Sequence, residues 1–258
     1  MEGMYLHMKG GGLVAEITER FFQMENQWNV IHLPIKPRGF GILIFGDQNQ
    51  YVENGTSFWI QHYGRRHLLD ILRNEGYTLI NSNLYGSHWG SPKAIKLTKQ
   101  LYSHVRKKEI LNRKFHIFAE GMGALVALQL MEEIPDCIRS VGLLDPCINL
   151  VAHLQEERES KFFYSRLREE LAKAYQFDPK EIEKQSFVKI EDYQSTKPVR
   201  IWQRMTGSQY PYDKHSRKYE EWRRKLGSPI KMTYHLADDY FRIHQSVSRY
   251  FQQNEKEL

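Results

Sequence analysis

Cysteine is scarce in this chain, with only Cys137 and Cys147 among 258 residues. That excludes a disulfide framework and a C-x-x-C type metal spacing, and a reducing compartment, the cytoplasm, is the expected location. Long apolar runs are missing too. No stretch approaches the roughly 18 uninterrupted apolar residues of a membrane span. The first residues, MEGMYLHMKGGGLVAEITERFF, show no basic segment followed by an apolar one, so no secretory signal is expected. There is no P-loop, no metal-ligand cluster, and no G-x-G-x-x-G fingerprint with its acidic partner; "GMGA" at 121–124 falls short of it. Neither a metal nor an organic cofactor is expected. Internal repeats, low-complexity tracts and Ser/Pro-rich linkers are absent as well.

Charge is plentiful but mixed. The net charge is +6, from 37 Lys and Arg against 31 Asp and Glu. The basic residues alternate with acidic ones, as in RKYEEWRRK (217–225) and RLREELAK (166–173), a pattern of solvated helix faces rather than of a basic stripe. Nucleic-acid binding is therefore not expected. With 41% hydrophobic residues, the chain can bury one sizeable core. Nothing in the sequence specifies an oligomeric state.

Strand and helix patterns alternate for most of the length, which predicts an α/β fold with a largely parallel sheet. Two antiparallel strands are expected near 12–22 and 28–35, around the turn QMENQ. GFGILIFG (39–46) reads as a strand buried on both faces, 58–77 as a helix stopped by Gly76, and YTLIN (77–81) as a strand. SPKAIKLTKQLYSHVRKK (91–108) has Ser91 at the N-cap, Pro92 at the first position and an apolar stripe through Ala94, Leu97, Leu101 and Val105. Strands at 115–119 and 138–145 flank a helix at 122–133. From about 150 to 196 the pattern changes to charged amphipathic helices. Strands at 199–205 and 230–237 then enclose a helix at 214–226, and a last helix covers 243–253. The count is eight strands with one helical insertion.

The stretch HIFAEGMGALVAL (116–128) places Gly-Met-Gly between an apolar strand and an apolar helix. That is the layout of a nucleophile elbow. In this feature, and in the order of its elements, the chain resembles the α/β-hydrolase superfamily over nearly its whole length. Ala119 stands for the usual first glycine, Gly121 for the serine nucleophile and Gly123 for the last glycine. GILIFG resembles the strand that ends in His-Gly in many members, with Phe45 in place of the histidine. NLYGSHWGS (83–91) is similar to the Gly-His-Gly-x-Ser loop after strand four. The resemblance implies an α/β-hydrolase fold: an eight-stranded, mostly parallel sheet with a helical lid. It divides the chain into a core of 1–149 and 197–258 and a lid of 150–196.

It also implies a site. The backbone N–H of Met122, with that of Asp47 or Gln48, would form an oxyanion hole whatever the side chains are. Phe45, Glu120, Phe162 and Phe163 would border a ligand pocket beneath the lid. Acyl transfer needs a nucleophile, a histidine and an orienting carboxylate. Gly121 has no side chain to attack with. His244, between the last strand and the last helix, is the histidine candidate, while His235 reads as structural. Tyr210 lies where the acid of the strand-seven loop is expected. Asp213 suits a helix N-cap, and Asp145, after strand six, is an alternative acid to pair with His244. Two readings follow. One is a non-catalytic or very weakly active hydrolase-like protein that binds a small acyl-type ligand or a protein partner. The other is an active esterase, thioesterase or acyltransferase with an altered constellation, in which Glu120, the His244–Asp145 pair or Cys147 supplies the chemistry.

Overall fold

The computed structural model describes residues 2–9, 12–236 and 240–255, with side chains for 18–236 and 242–255. Three antiparallel strands lead in: β1 (Glu2–Lys9), β2 (Gly12–Met24) and β3 (Gln27–His32). The β2–β3 turn carries two positive φ angles, at Glu25 and Asn26. That is the handedness a tight two-residue hairpin requires. β1 lies outside the expected pattern and extends the sheet by one edge strand.

β4 (Phe40–Phe45) runs into the middle of the sheet and is followed by a short hairpin, β5 (Val52–Glu53) with β6 (Thr56–Ser57). The helix expected over 58–77 is broken into α1 (Phe58–Gln61) and α2 (Tyr63–Asn74) by the extended backbone of His62 (ψ 118°). Then come β7 (Tyr77–Ser82), α3 (Pro92–Lys108), β8 (Phe115–Glu120), α4 (Gly123–Glu133) and β9 (Ile138–Leu144). β8 is buried at every residue, and α4 is apolar almost all round, which suits a helix enclosed by its neighbours. Past the helical segment lie β10 (Val199–Arg204), α7 (Ser216–Lys225), β11 (Ile230–His235) and α8 (Tyr240–Gln253).

The sheet has nine strands in the order β1-β2-β3-β7-β4-β8-β9-β10-β11. From β7 through β11 all neighbours are parallel. One face buries Leu97, Leu101 and Val105 of α3 with Val126 and Leu130 of α4. The other buries Leu68, Leu69 and Leu72 of α2 with Val247 and Phe251 of α8. A third cluster joins Met122 and Leu125 to the segment between β9 and β10. In that segment α5 (Leu150–Glu157) and α6 (Lys161–Tyr175) contribute Leu154, Leu167 and Leu171. Trp89 Nε1 donates to Glu170 Oε2 (2.9 Å) and Tyr175 donates its hydroxyl to the Trp89 carbonyl (2.8 Å), fastening α6 over the strand ends. Among the described residues no helix is long and apolar enough to cross a membrane, and no group of His, Cys, Asp and Glu is placed to hold a metal ion.

Candidate active-site cleft

The C-terminal ends of the parallel strands meet in a polar cleft, the usual place for a site in an open α/β sheet. β4 delivers Asp47, β8 delivers Glu120 and Gly121, β9 delivers Asp145, β10 delivers Arg204, and β11 ends on His235. The first four of these strand ends, with Arg65 and Tyr210, surround a cavity of about 260 Å³.

Gly121 sits at the strand-to-helix turn with φ +46°. The helix behind it approaches β4 closely. A Cβ on Gly123 would lie 2.6 Å from the Phe45 carbonyl oxygen, so only glycine fits there. At Gly121 the obstruction is of another kind. A Cβ built there would lie 1.9 Å from Asp47 Cγ and 2.1 Å from its Oδ1. The carboxyl group of Asp47 fills the space that a side chain at 121 would enter.

Hydrogen bonds hold it there. Asp47 Oδ1 accepts the Met122 N–H (2.9 Å), at the start of α4, and the Tyr210 hydroxyl (2.9 Å). The Met122 N–H is therefore engaged by the protein's own carboxyl, at a helix N-terminus that favours negative charge. Burial pushes the Asp47 carboxyl above the usual carboxylate range, and the nearby charge of Glu120 adds to this. The bonds from the Met122 and Gln48 amides and from Tyr210 oppose the rise. The Tyr210 phenol is itself driven well above its ordinary value, first by burial and then by Asp47.

The remaining charges are paired. Glu120 meets Arg65 Nε (2.6 Å) and accepts from Gln50 Nε2 (2.7 Å), whose Oε1 accepts from Trp59 Nε1 (2.7 Å). Asp145, in the left-handed region at φ +44°, accepts the Arg204 N–H (2.5 Å) and lies 3.5 Å from Arg204 Nη2. Its carboxyl is raised by burial, against the pull of Arg204 and His235.

The imidazole brought to Asp145 is that of His235, with Nε2 3.7 Å from Oδ1. His235 Nδ1 lies 3.0 Å from the Leu236 carbonyl, which can only accept, so Nδ1 carries the proton. In a serine triad Nδ1–H faces the acid and Nε2 faces the nucleophile. Here Nε2 faces the acid and Nδ1 a backbone carbonyl, so this histidine is not oriented to draw a proton from position 121.

His244 is not in the loop before the last helix. α8 begins at Tyr240, which puts His244 inside the helix, buried, its ring 5.3 Å from that of His67. Burial, with His67 and Arg65 close by, lowers it to about 4. Phe45 is likewise displaced from the expected pocket: it is 1% exposed in the core, because β4 is covered on both faces. Phe163 borders a second cavity, of about 380 Å³, beneath α5 and α6 with Gln48, His153, Leu167 and Gln209. Phe162 is 72% exposed and stacks edge-on against Phe163. Asp213 has no part in the cleft. Cys147 is fully buried and its thiol is raised well above the usual range by that burial, which leaves little thiolate for attack. Arg65, Arg204 and the tyrosine bond to Asp47 were not foreseen in the sequence. The one signal was an acidic residue at the end of a glycine-bounded central strand.

No family profile and no curated protein sequence matches the chain. Solved structures do. Est1E from Butyrivibrio proteoclasticus superposes with a TM-score of 0.65 at 13% identity, over 92% of this chain and 98% of that one. The Francisella virulence factor BioJ does so at 0.64 and 14%, over 91% and 84%. A Mycobacterium tuberculosis puromycin-hydrolyzing peptidase reaches 0.68 at 11%, over 99% of this chain but 44% of the peptidase. The chain has the α/β-hydrolase fold, with its mostly parallel sheet from β2 to β11 and helices on both faces.

Proposed function

We propose that this chain is a ligand-binding protein of the α/β-hydrolase fold that has given up serine-type ester hydrolysis. The observation that carries this reading is the Asp47 carboxyl in the space beside Gly121, bonded to the Met122 N–H. A site so arranged offers neither a nucleophile at 121 nor an open donor for an oxyanion. It offers an acceptor. The group best matched to it is the N–H of an amide or amine, not a carboxylate. The apolar part of a small acyl-type ligand would lie in the cavity under α5 and α6, against Phe163 and Leu167, with Gln209 bordering both cavities. In this reading residues 150–196 act as the cover of the pocket. Two cysteines without a disulfide accord with a reducing compartment.

The test is short-chain nitrophenyl ester hydrolysis by the wild type, His235→Ala and His244→Ala. All three should match the uncatalysed rate. Saturable turnover in the wild type that disappears in either variant would support the other reading, a hydrolase of altered constellation, and overturn this one.

A further inference from the structure

The loop 83–91 takes no part in the cleft, yet its backbone is unusual. It passes through positive φ at Leu84, Tyr85, Gly86, Trp89 and Gly90. Three of these are not glycine, each at a cost of about 1 kcal/mol or more. The turns bring His88 and Ser91 to the N-terminus of α3, on a cavity of about 520 Å³ bordered also by Tyr85, Lys93 and Lys173. His88 is 4% exposed and Ser91 2%.

Both side chains hold unused donors. His88 Nδ1 accepts the Gly90 N–H (3.2 Å), so the neutral ring keeps its proton on Nε2. Burial keeps it neutral by lowering it to about 4. Nε2–H has no partner among the described residues. Ser91 occupies the N-cap of α3, but its hydroxyl makes no capping bond. Pro92 follows and has no N–H, so the first free amides of this 17-residue helix are those of Lys93 and Ala94. Lys93 Nζ rests 3.9 Å above the Tyr85 ring, and neither it nor Lys173 is in an ion pair among the described residues. The acid bordering the cavity, Glu170, is already bonded by Trp89 and Arg166.

We infer that this cavity is a second binding site, for a phosphate-type oxyanion held by His88 Nε2–H, the Ser91 hydroxyl, the α3 N-terminus, Lys93 and Lys173. The anion is free phosphate or the phosphate group of a small phosphomonoester. A helix N-terminus with two converging cations matches its charge, and two buried donors fix its orientation.

Calorimetric titration of the full chain with inorganic phosphate at pH 7.5 tests the inference, with glycerol 2-phosphate as a second arm. Saturable one-site binding that weakens with added KCl is expected. Ser91→Ala and the double variant Lys93→Gln/Lys173→Gln should each weaken it about tenfold, the worth of one good bond to a charged group. Ser91→Ala should keep the wild-type melting temperature, since the Ser91 hydroxyl makes no capping bond. The double variant should stay within about 4 °C of it, because it gives up only the Lys93–Tyr85 cation–π contact. Binding in both arms identifies a phosphomonoester site, and binding of inorganic phosphate alone a free-anion site. No saturable binding, or equal binding by wild type and variants, overturns the inference.

Discussion

Gly121→Ser should destabilise the protein by at least about 3 kcal/mol and create no esterase. Two costs add. A non-glycine residue in the left-handed region costs roughly 1–2 kcal/mol. The new Cβ must also expel the Asp47 carboxyl, 1.9 Å away, stripping Met122 N–H and Tyr210 of their acceptor. Each group left unpaired costs about 1–3 kcal/mol where water cannot reach it. Urea unfolding measures the sum as a fall in midpoint at constant slope. Activity should stay at background, because His235 presents Nε2 to Asp145 and not to the new hydroxyl. An unchanged midpoint would mean that Asp47 does not hold this space.

Acid should unfold the protein with a midpoint near pH 5. His116 and His215 are lowered to about 3, and His88 and His153 to about 4, in each case first by burial. Arg139 adds to this at His116, and His153 and Lys218 at His215. A histidine depressed in the folded state stabilises it above the unfolded value, about 6.5, and that stability is lost as pH falls toward the folded value. Four such groups remove about 5 kcal/mol per pH unit below 6.5. A typical domain stability of roughly 5–15 kcal/mol is then consumed within about one to three units. Asp47 and Asp145, raised by burial, act in the opposite sense: they favour the folded state as they protonate, and soften the slope. Circular dichroism from pH 7 to 3 would show the transition. A native signal retained at pH 3.5 would contradict it.

Much of the fold was legible because its signals are local. Ser91, Pro92 and the stripe from Ala94 to Val105 mark α3 within a residue of its observed start. The apolar runs of β4 and β8 read as central strands because both faces are covered. The break at His62 was not legible, since the apolar spacing of 58–72 continues across it. The elbow turn was visible as Gly-Met-Gly, but its occupant was not. Asp47 reaches Met122 across 75 positions and Tyr210 across 163, and no spacing rule joins them. The histidine was misplaced for a related reason. Its position was inferred from where a final helix should begin, and α8 begins earlier, enclosing His244 and leaving His235 at the strand end.

The central claim is that the Asp47 carboxyl occupies the nucleophile's place. A double-mutant cycle on folding stability with Asp47→Ala and Gly121→Ala tests it most directly. If the two positions share one space, Gly121→Ala should cost much less in the Asp47→Ala background than in the wild type. The coupling expected for residues in contact is about 1–3 kcal/mol. Costs that add to within about 0.5 kcal/mol would show that the carboxyl lies elsewhere, and the account of the cleft would fail with it.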